Sequence, residues 1–520
     1  MTYPPQPGAP APGPHPQHPP YPQHPYPYQQ QQPHPQQPYG QPYGQQPYPP
    51  QQFAPPQPTP PPQPQPPQPP RPRRTGRRIA LTVTAVFAVL VLGFAGLVWN
   101  NLQRQHAYAE ANQPTKKWEA LVDGMTQAMA SKDEEAFLKP FAAGPTREKQ
   151  RQVFRNLVKV PWQTAQWKLQ AGDAVQGLLP VAFVHQVKGV DNRPIAETYA
   201  WTVTGAPGPG AVTGVGGDKD ITGKTSAVSY YPGPWDVYED LAVEVRDHLV
   251  VVSEQKQSAE LKRDVDLLRQ AAQDDLAAWQ QNKPPTDGVR TGGQGFFVVL
   301  EKNRDVYNRL YAGEGRENDR LEAGVNLAVE AEDSDRAGQG KVLIGGSRIV
   351  MDTSLERFTS PDRWQEGVTD IGRHEMGHAI TATLTTDFDL GLAEKSAIRM
   401  WVVEGFADYL ALRGKDAKAR NDLAYKVRDA RFTGALPPAL AQEFYASDPK
   451  ARSANYALSA DALRWMAATY GEQKTLAFVA AHYGSPSAYP QQIKAATGLE
   501  PEQFEQTWAA HVRSTLPVKR

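Results

Sequence analysis

Residues 370–382 read DIGRHEMGHAITA and residues 400–412 read MWVVEGFADYLAL, with Glu404 lying 26 residues beyond His378. The stretch from Val368 to Thr383 contains no proline, so it can run as one helix. His374 and His378 are four residues apart, which puts both imidazoles on one helix face, one turn above the other. That spacing lets two nitrogens reach a single Zn2+ at about 2.0–2.1 Å. Two neutral imidazoles leave such an ion short of ligands, so a third is expected elsewhere. Glu404 is the candidate, because it sits on a second predicted helix in an otherwise apolar stretch. An unpaired carboxylate would be costly to bury there, and coordination removes that cost. Asp408, one turn further along the same face, is placed to accept a hydrogen bond from the non-metal nitrogen of a ligand histidine. Two histidines and a glutamate with one open position make a catalytic rather than a structural zinc set.

Outward from these helices a resemblance appears. HEMGH followed by EGFAD resembles the gluzincin metallopeptidases, the thermolysin-like group. The resemblance implies that His374, His378 and Glu404 hold Zn2+, that Glu375 is the general base activating a zinc-bound water, and that the substrate is a peptide or protein. Tyr456–Gly471, Lys474–Gly484 and Ala495 to Val512 resemble the C-terminal helices of membrane-anchored bacterial members, so the likeness spans roughly residues 235–515. The distance from the second histidine to the glutamate departs from the aminopeptidase pattern, and no GxMEN-type segment is present. Such peptidases also need a donor for the tetrahedral oxyanion, and Tyr456 and His482 are the candidates.

Composition narrows the alternatives. The chain has no cysteine, which removes disulfides, thiolate ligands and cysteine nucleophiles and leaves a metal site to His and carboxylate. The net charge is zero with no strongly basic segment in the folded part, so nothing points to nucleic acid.

The N-terminal end is unlike the rest. Residues 1–70 contain no Lys, Arg, Asp or Glu and are built almost wholly from Pro, Gln, Tyr, Gly, Ala and His. Proline on this scale denies both helix and sheet hydrogen bonding, so residues 1–74 read as a disordered Pro/Gln/Tyr-rich tail. Ile79 to Trp99 is an uncharged run of 21 residues, long enough for a single transmembrane helix. Arg71, Arg73, Arg74, Arg77 and Arg78 precede it, and only Arg104 occupies the comparable window after it. Positive flanks stay inside, which makes the tail cytoplasmic and the remainder extracytoplasmic. A Pro/Gln/Tyr tail before one membrane helix resembles actinobacterial envelope proteins.

Beyond the membrane the expected fold class is α+β in two parts. A small α+β domain at 115–234 begins with an amphipathic helix marked by Trp118, Leu121, Val122, Met125 and Met129, followed by strands at Leu179–Val187 and Glu197–Val203 and a Gly/Pro-rich stretch. Its element order resembles an NTF2-like domain. A mainly helical gluzincin-like metallopeptidase domain with a small sheet follows at 235–516. Its strand candidates are Leu249–Val252, Phe296–Leu300, and Val342–Ile344 with Ile349–Met351. Leu261 to Trp279 marks a long helix, and Gly414, Gly471 and Gly498 mark helix stops. A different class of function stays open: a catalytically inactive peptidase-like binding or sensor protein of the cell envelope.

Overall fold

The computed structural model describes residues 113–170, 177–217, 231–282, 292–311, 322–334, 343–385, 398–428, 432–446 and 448–516. The tail and the 79–99 segment lie outside these residues. Among the described residues no helix is long and apolar enough to cross a membrane.

The helical spacing from Trp118 to Met129 forms α1, Gln113–Ser131, which buries Trp118, Val122, Met125 and Met129. A second helix, α2 (Pro145–Leu157), begins with proline in its first turn, where the missing N–H is not needed. Both pack on a four-stranded antiparallel meander of β1 (Trp162–Leu169), β2 (Leu178–Val187), β3 (Ile195–Val203) and β4 (Val212–Gly217). The two expected strands are β2 and β3. Part of the Gly/Pro-rich stretch, for which no strand was expected, is β4. Its glycines permit close approach: a Cβ at Gly214 would lie 3.1 Å from the Thr202 hydroxyl.

The second part is a mixed five-stranded sheet in the order β5-β6-β7-β9-β8, made of β5 (Leu241–Arg246), β6 (Leu249–Glu254), β7 (Phe296–Glu301), β8 (Gly324–Glu330) and β9 (Ile344–Asp352). The pairs β6–β7 and β7–β9 are parallel, while β5 and β8 run antiparallel to their neighbours. The segments expected as two strands, 342–344 and 349–351, are one continuous strand β9 from Ile344 onward. Gly345 and Gly346 do not break it; they let other chain segments come within contact distance of the backbone.

This sheet has two buried faces, which is why its inner strands read as unbroken apolar runs. Val251, Val298, Ile349 and Met351 face one core with the long helix α3 (Ser258–Asn282) and the C-terminal helices. Val250, Val252, Phe297, Val299 and Val350 face the other core with α1, α2 and the meander. The β5–β9 sheet is therefore a wall shared by both layers.

From residue 364 the described elements are helices: α4 (Trp364–Ala382), α5 (Met400–Ala411), α6 (Asp416–Arg428), α7 (Ala441–Ala446), α8 (Pro449–Tyr470), α9 (Glu472–Gly484), α10 (Tyr489–Thr497) and α11 (Pro501–Thr515). Asp448 caps α8 by accepting from the Lys450 and Ala451 amides, ahead of Pro449. Gly471 and Gly498 end α8 and α10 with φ of 100° and 79°, and Gly414 follows α5 with φ 78°, as expected of helix stops.

Candidate metal centre

Helices α4 and α5 cross closely because small residues meet at the crossing. A Cβ on Gly377 would lie 2.9 Å from the Ala407 Cα, and one on Gly405 would lie 2.6 Å from the Ser459 carbonyl of α8. The register of α4 is held by Arg373, whose buried guanidinium donates to Asp275 of α3 at 2.8 Å. This crossing brings His374, Glu375 and His378 of α4 opposite Glu404 and Asp408 of α5.

His374, His378 and Glu404 each offer one ligand atom, and these atoms all lie within 4.8 Å of one another. The His374 and His378 Nε2 atoms are 3.1 Å apart, and Glu404 Oε2 lies 3.3 Å from the first and 3.5 Å from the second. Ligands placed tetrahedrally about Zn2+ at 2.0–2.1 Å would stand roughly 3.3–3.4 Å from each other. The three distances bracket that value. Glu404 Oε2 is also buried without a hydrogen-bond partner, lying near both imidazole nitrogens with bonding geometry to neither. A cation at the centre of the three atoms would satisfy it, so the residues fit a divalent ion with nitrogen and oxygen ligands.

Asp408 takes the expected place. Its Oδ1 accepts from His374 Nδ1 at 2.8 Å, which leaves the Nε2 lone pair turned to the centre. Burial opposes a charge on His374, but the carboxylates of Asp408 and Glu404 outweigh it and raise the imidazole pKa. Burial likewise opposes ionisation of Glu404, yet His378 and His374 hold its carboxyl well below the usual range. Glu375 is 5% exposed and its pKa is raised, chiefly by burial and against the pull of both histidines.

Of the two candidates for an oxyanion donor, the structure brings Tyr456 to the centre and not His482. The Tyr456 ring centroid is 6.1 Å from that of His374. His482 is fully buried with both nitrogens engaged: Nε2 accepts from the Arg399 amide at 3.1 Å, and Nδ1 donates to Gln492 at 3.0 Å. Burial lowers its pKa to about 4, so it is a neutral core residue.

Two neighbours escaped the sequence reading. Tyr445 of α7 donates its hydroxyl to Glu404 Oε1 and packs beside Tyr456, with centroids 6.5 Å apart. No spacing relates it to the histidines, so only the packing of α7 on α8 could have found it. Burial raises the pKa of both tyrosines, keeping them protonated donors. The second is Gly324 at the start of β8, where a Cβ would stand 2.8 Å from Glu375 Oε1. The edge strand of the sheet thus abuts the centre.

No protein-family model and no curated protein matches the sequence. Among solved structures the chain is similar to an M1 zinc metallopeptidase from Deinococcus radiodurans, at 14% identity over 52% of this chain and 51% of that one, with a TM-score of 0.29. A Glu-to-Ala mutant of an M1 zinc metallopeptidase from the same organism, bound to a Tyr-Ser-Ala substrate, gives 15% identity, 52% of each chain and a TM-score of 0.29. A two-domain M1 zinc metallopeptidase mutant bound to L-tryptophan gives the same values. The chain spans about half the length of these structures, and a likeness of this size leaves the chemistry to be read from the side chains themselves.

Proposed function

We propose that the chain is a zinc metallopeptidase that hydrolyses peptide bonds outside the cytoplasmic membrane, anchored by the single helix at 79–99. The observation that carries the reading is the orphaned Glu404 Oε2, which faces two imidazole nitrogens at tetrahedral-edge distances while Glu375 stands beside them and is not one of the three. Bound Zn2+ would supply Lewis acidity towards the scissile carbonyl and towards water. Glu375 takes a proton from the attacking water and passes it to the leaving nitrogen, so the C–N bond breaks to a carboxylate and an amine. Tyr456, with Tyr445 beside it, is the donor available to the oxyanion. The outer edge of β8, last in the order of the described strands, offers backbone groups along which an extended peptide can lie.

The test separates binding from catalysis. Glu375→Gln keeps the side-chain shape and removes its basicity. Zinc measured on the purified full-length protein stays at the parent level, and peptide cleavage falls by about 10²–10⁴-fold. Cleavage persisting at the parent rate sinks the mechanism. Zinc bound with no peptide cleaved by the parent favours the sensor reading.

A further inference from the structure

The meander reaches into the second sheet through the β2–β3 turn, residues 188–194, and the junction is built to close tolerance. Asp191 and Arg348 of β9 form a fully buried ion pair, with bonds of 2.7 and 3.1 Å from the two guanidinium nitrogens to the two carboxylate oxygens. The Val187 amide also donates to Asp191 at 2.8 Å, so the carboxylate is held from both sides. The Asn192 and Arg193 amides donate to the Gly345 carbonyl at 2.7 and 3.1 Å. A Cβ on Gly346 would lie 2.2 Å from Asp191 Oδ1, and one on Gly345 would lie 2.4 Å from the Ile195 side chain. The consecutive glycines in β9 are thus required by what the turn inserts there.

The same layer grips the far end of β8. Ile195 of β3 bridges Ala331, which follows β8 directly, and the Glu332 amide donates to the Pro194 carbonyl at 2.8 Å. Lys168 of β1 pairs with Glu332, and Arg193 pairs with Asp333 at 2.7 Å. At its other end, roughly 20 Å away along a seven-residue strand, β8 begins with Gly324 against Glu375. That near end is tied within the second sheet, the Asp352 amide donating to the Ala323 carbonyl at 3.0 Å.

We propose that the N-terminal α+β layer is a clamp that sets the position of β8, and through it the wall of the metal centre beside Glu375, with Asp191 as its principal positioning residue. The inference rests on the site reading above and adds a role for the layer that carries none of the proposed metal ligands. The ligands sit on α4 and α5, so releasing the clamp leaves the ion in place and displaces the strand along which a peptide would lie.

Two variants of the full-length protein test this. Asp191→Leu with Arg348→Met replaces both buried charges by apolar groups, which leaves no orphan ion. Lys168→Ala with Arg193→Ala loosens only the exposed grip and keeps the core. Hydrogen exchange of the β8 amides bonded to β9 rises at least about tenfold in the first variant, and by a smaller factor in the second, while α4 amides and zinc content are unchanged. KM for a peptide rises about fivefold or more with kcat within about twofold, the sign of lost binding rather than lost chemistry. Unchanged β8 exchange in the Asp191→Leu, Arg348→Met protein overturns the clamp, as does an equal rise in α4, which marks general loosening. A parent that cleaves no peptide sinks the peptidase reading alone, because exchange and zinc content still decide the clamp.

Discussion

Glu404 and Asp408 lie one turn apart on α5 and act on the centre in different ways: one presents Oε2 to it, and the other holds the His374 ring that faces it. Glu404→Ala leaves two imidazoles, and zinc measured after dialysis is lost. Asp408→Ala keeps the three ligands and frees a ring, so competition titration with a chelator reads zinc affinity weakened about 10–100-fold. Equal losses in the two variants would contradict this division. A second residue-scale expectation concerns Glu197, buried 3.3 Å from His185 and facing Arg348 and Asp191. Burial, partly offset by Arg348, lifts its pKa from 4.5 to about 8. A carboxyl raised in the folded state binds its proton more tightly there than in the unfolded chain. Its stabilising contribution is full below about pH 4.5 and is lost as pH climbs to about 8. Glu197→Gln therefore melts with the parent at pH 5 and at least about 3 °C above it at pH 9. A difference that does not grow with pH refutes the assignment.

Among the elements, the α4–α5 crossing carries the site. HExxH periodicity places two histidines on one face, but Glu404 comes within reach of them because Gly377 lets α4 settle on Ala407. Gly377→Ala inserts a methyl where 2.9 Å separates the new carbon from backbone, and pushes the helices apart. Urea unfolding should show a loss of about 1–3 kcal/mol, the usual effect of overpacking, together with weakened zinc binding. Parent-like values for both would mean the helices reach the same geometry with room to spare. The strands were less legible than the helices for a related reason. Strands β2, β6 and β7 follow apolar runs and β3 an alternation of Tyr199, Trp201 and Val203 with small or polar residues, whereas β4 and β8 are glycine-containing edge strands whose pairing comes from a neighbour rather than from their own pattern.

For the whole molecule, the arginine cluster before Ile79 and the single Arg104 behind Trp99 set an expected topology. Protease added to intact cells should digest residues 100–520 and spare an epitope in the 1–74 tail. A protected C-terminal region would reverse the orientation and remove the extracytoplasmic assignment. The shared sheet matters on this scale too. One face belongs to the core of the α4–α5 helices and the other to the core of the N-terminal layer, so both layers pack on the same strands.

The local pattern alone was enough to place His374, Glu375, His378, Glu404 and Asp408 on two helices with the right faces. Helix geometry is a short-range property, and four-residue spacing on a proline-free segment leaves little freedom. It was also enough to mark the helix stops at Gly414, Gly471 and Gly498, where a left-handed backbone is wanted. Tertiary packing alone decided the rest. Tyr445 and Gly324 reach the centre from segments 67 and 51 residues away from His378 and Glu375, and no local pattern encodes a meeting over such separations. Tyr456 and His482 looked alike as candidates because both lie on C-terminal helices and carry a polar group able to donate. They differ because packing turns one towards the metal centre, while the other spends both nitrogens on Arg399 and Gln492. The Gly345–Gly346 pair lies between the two segments expected as strands and is the seat for Asp191 and Ile195, because a glycine's purpose is set by what approaches it, and that partner lies some 150 residues earlier in the chain.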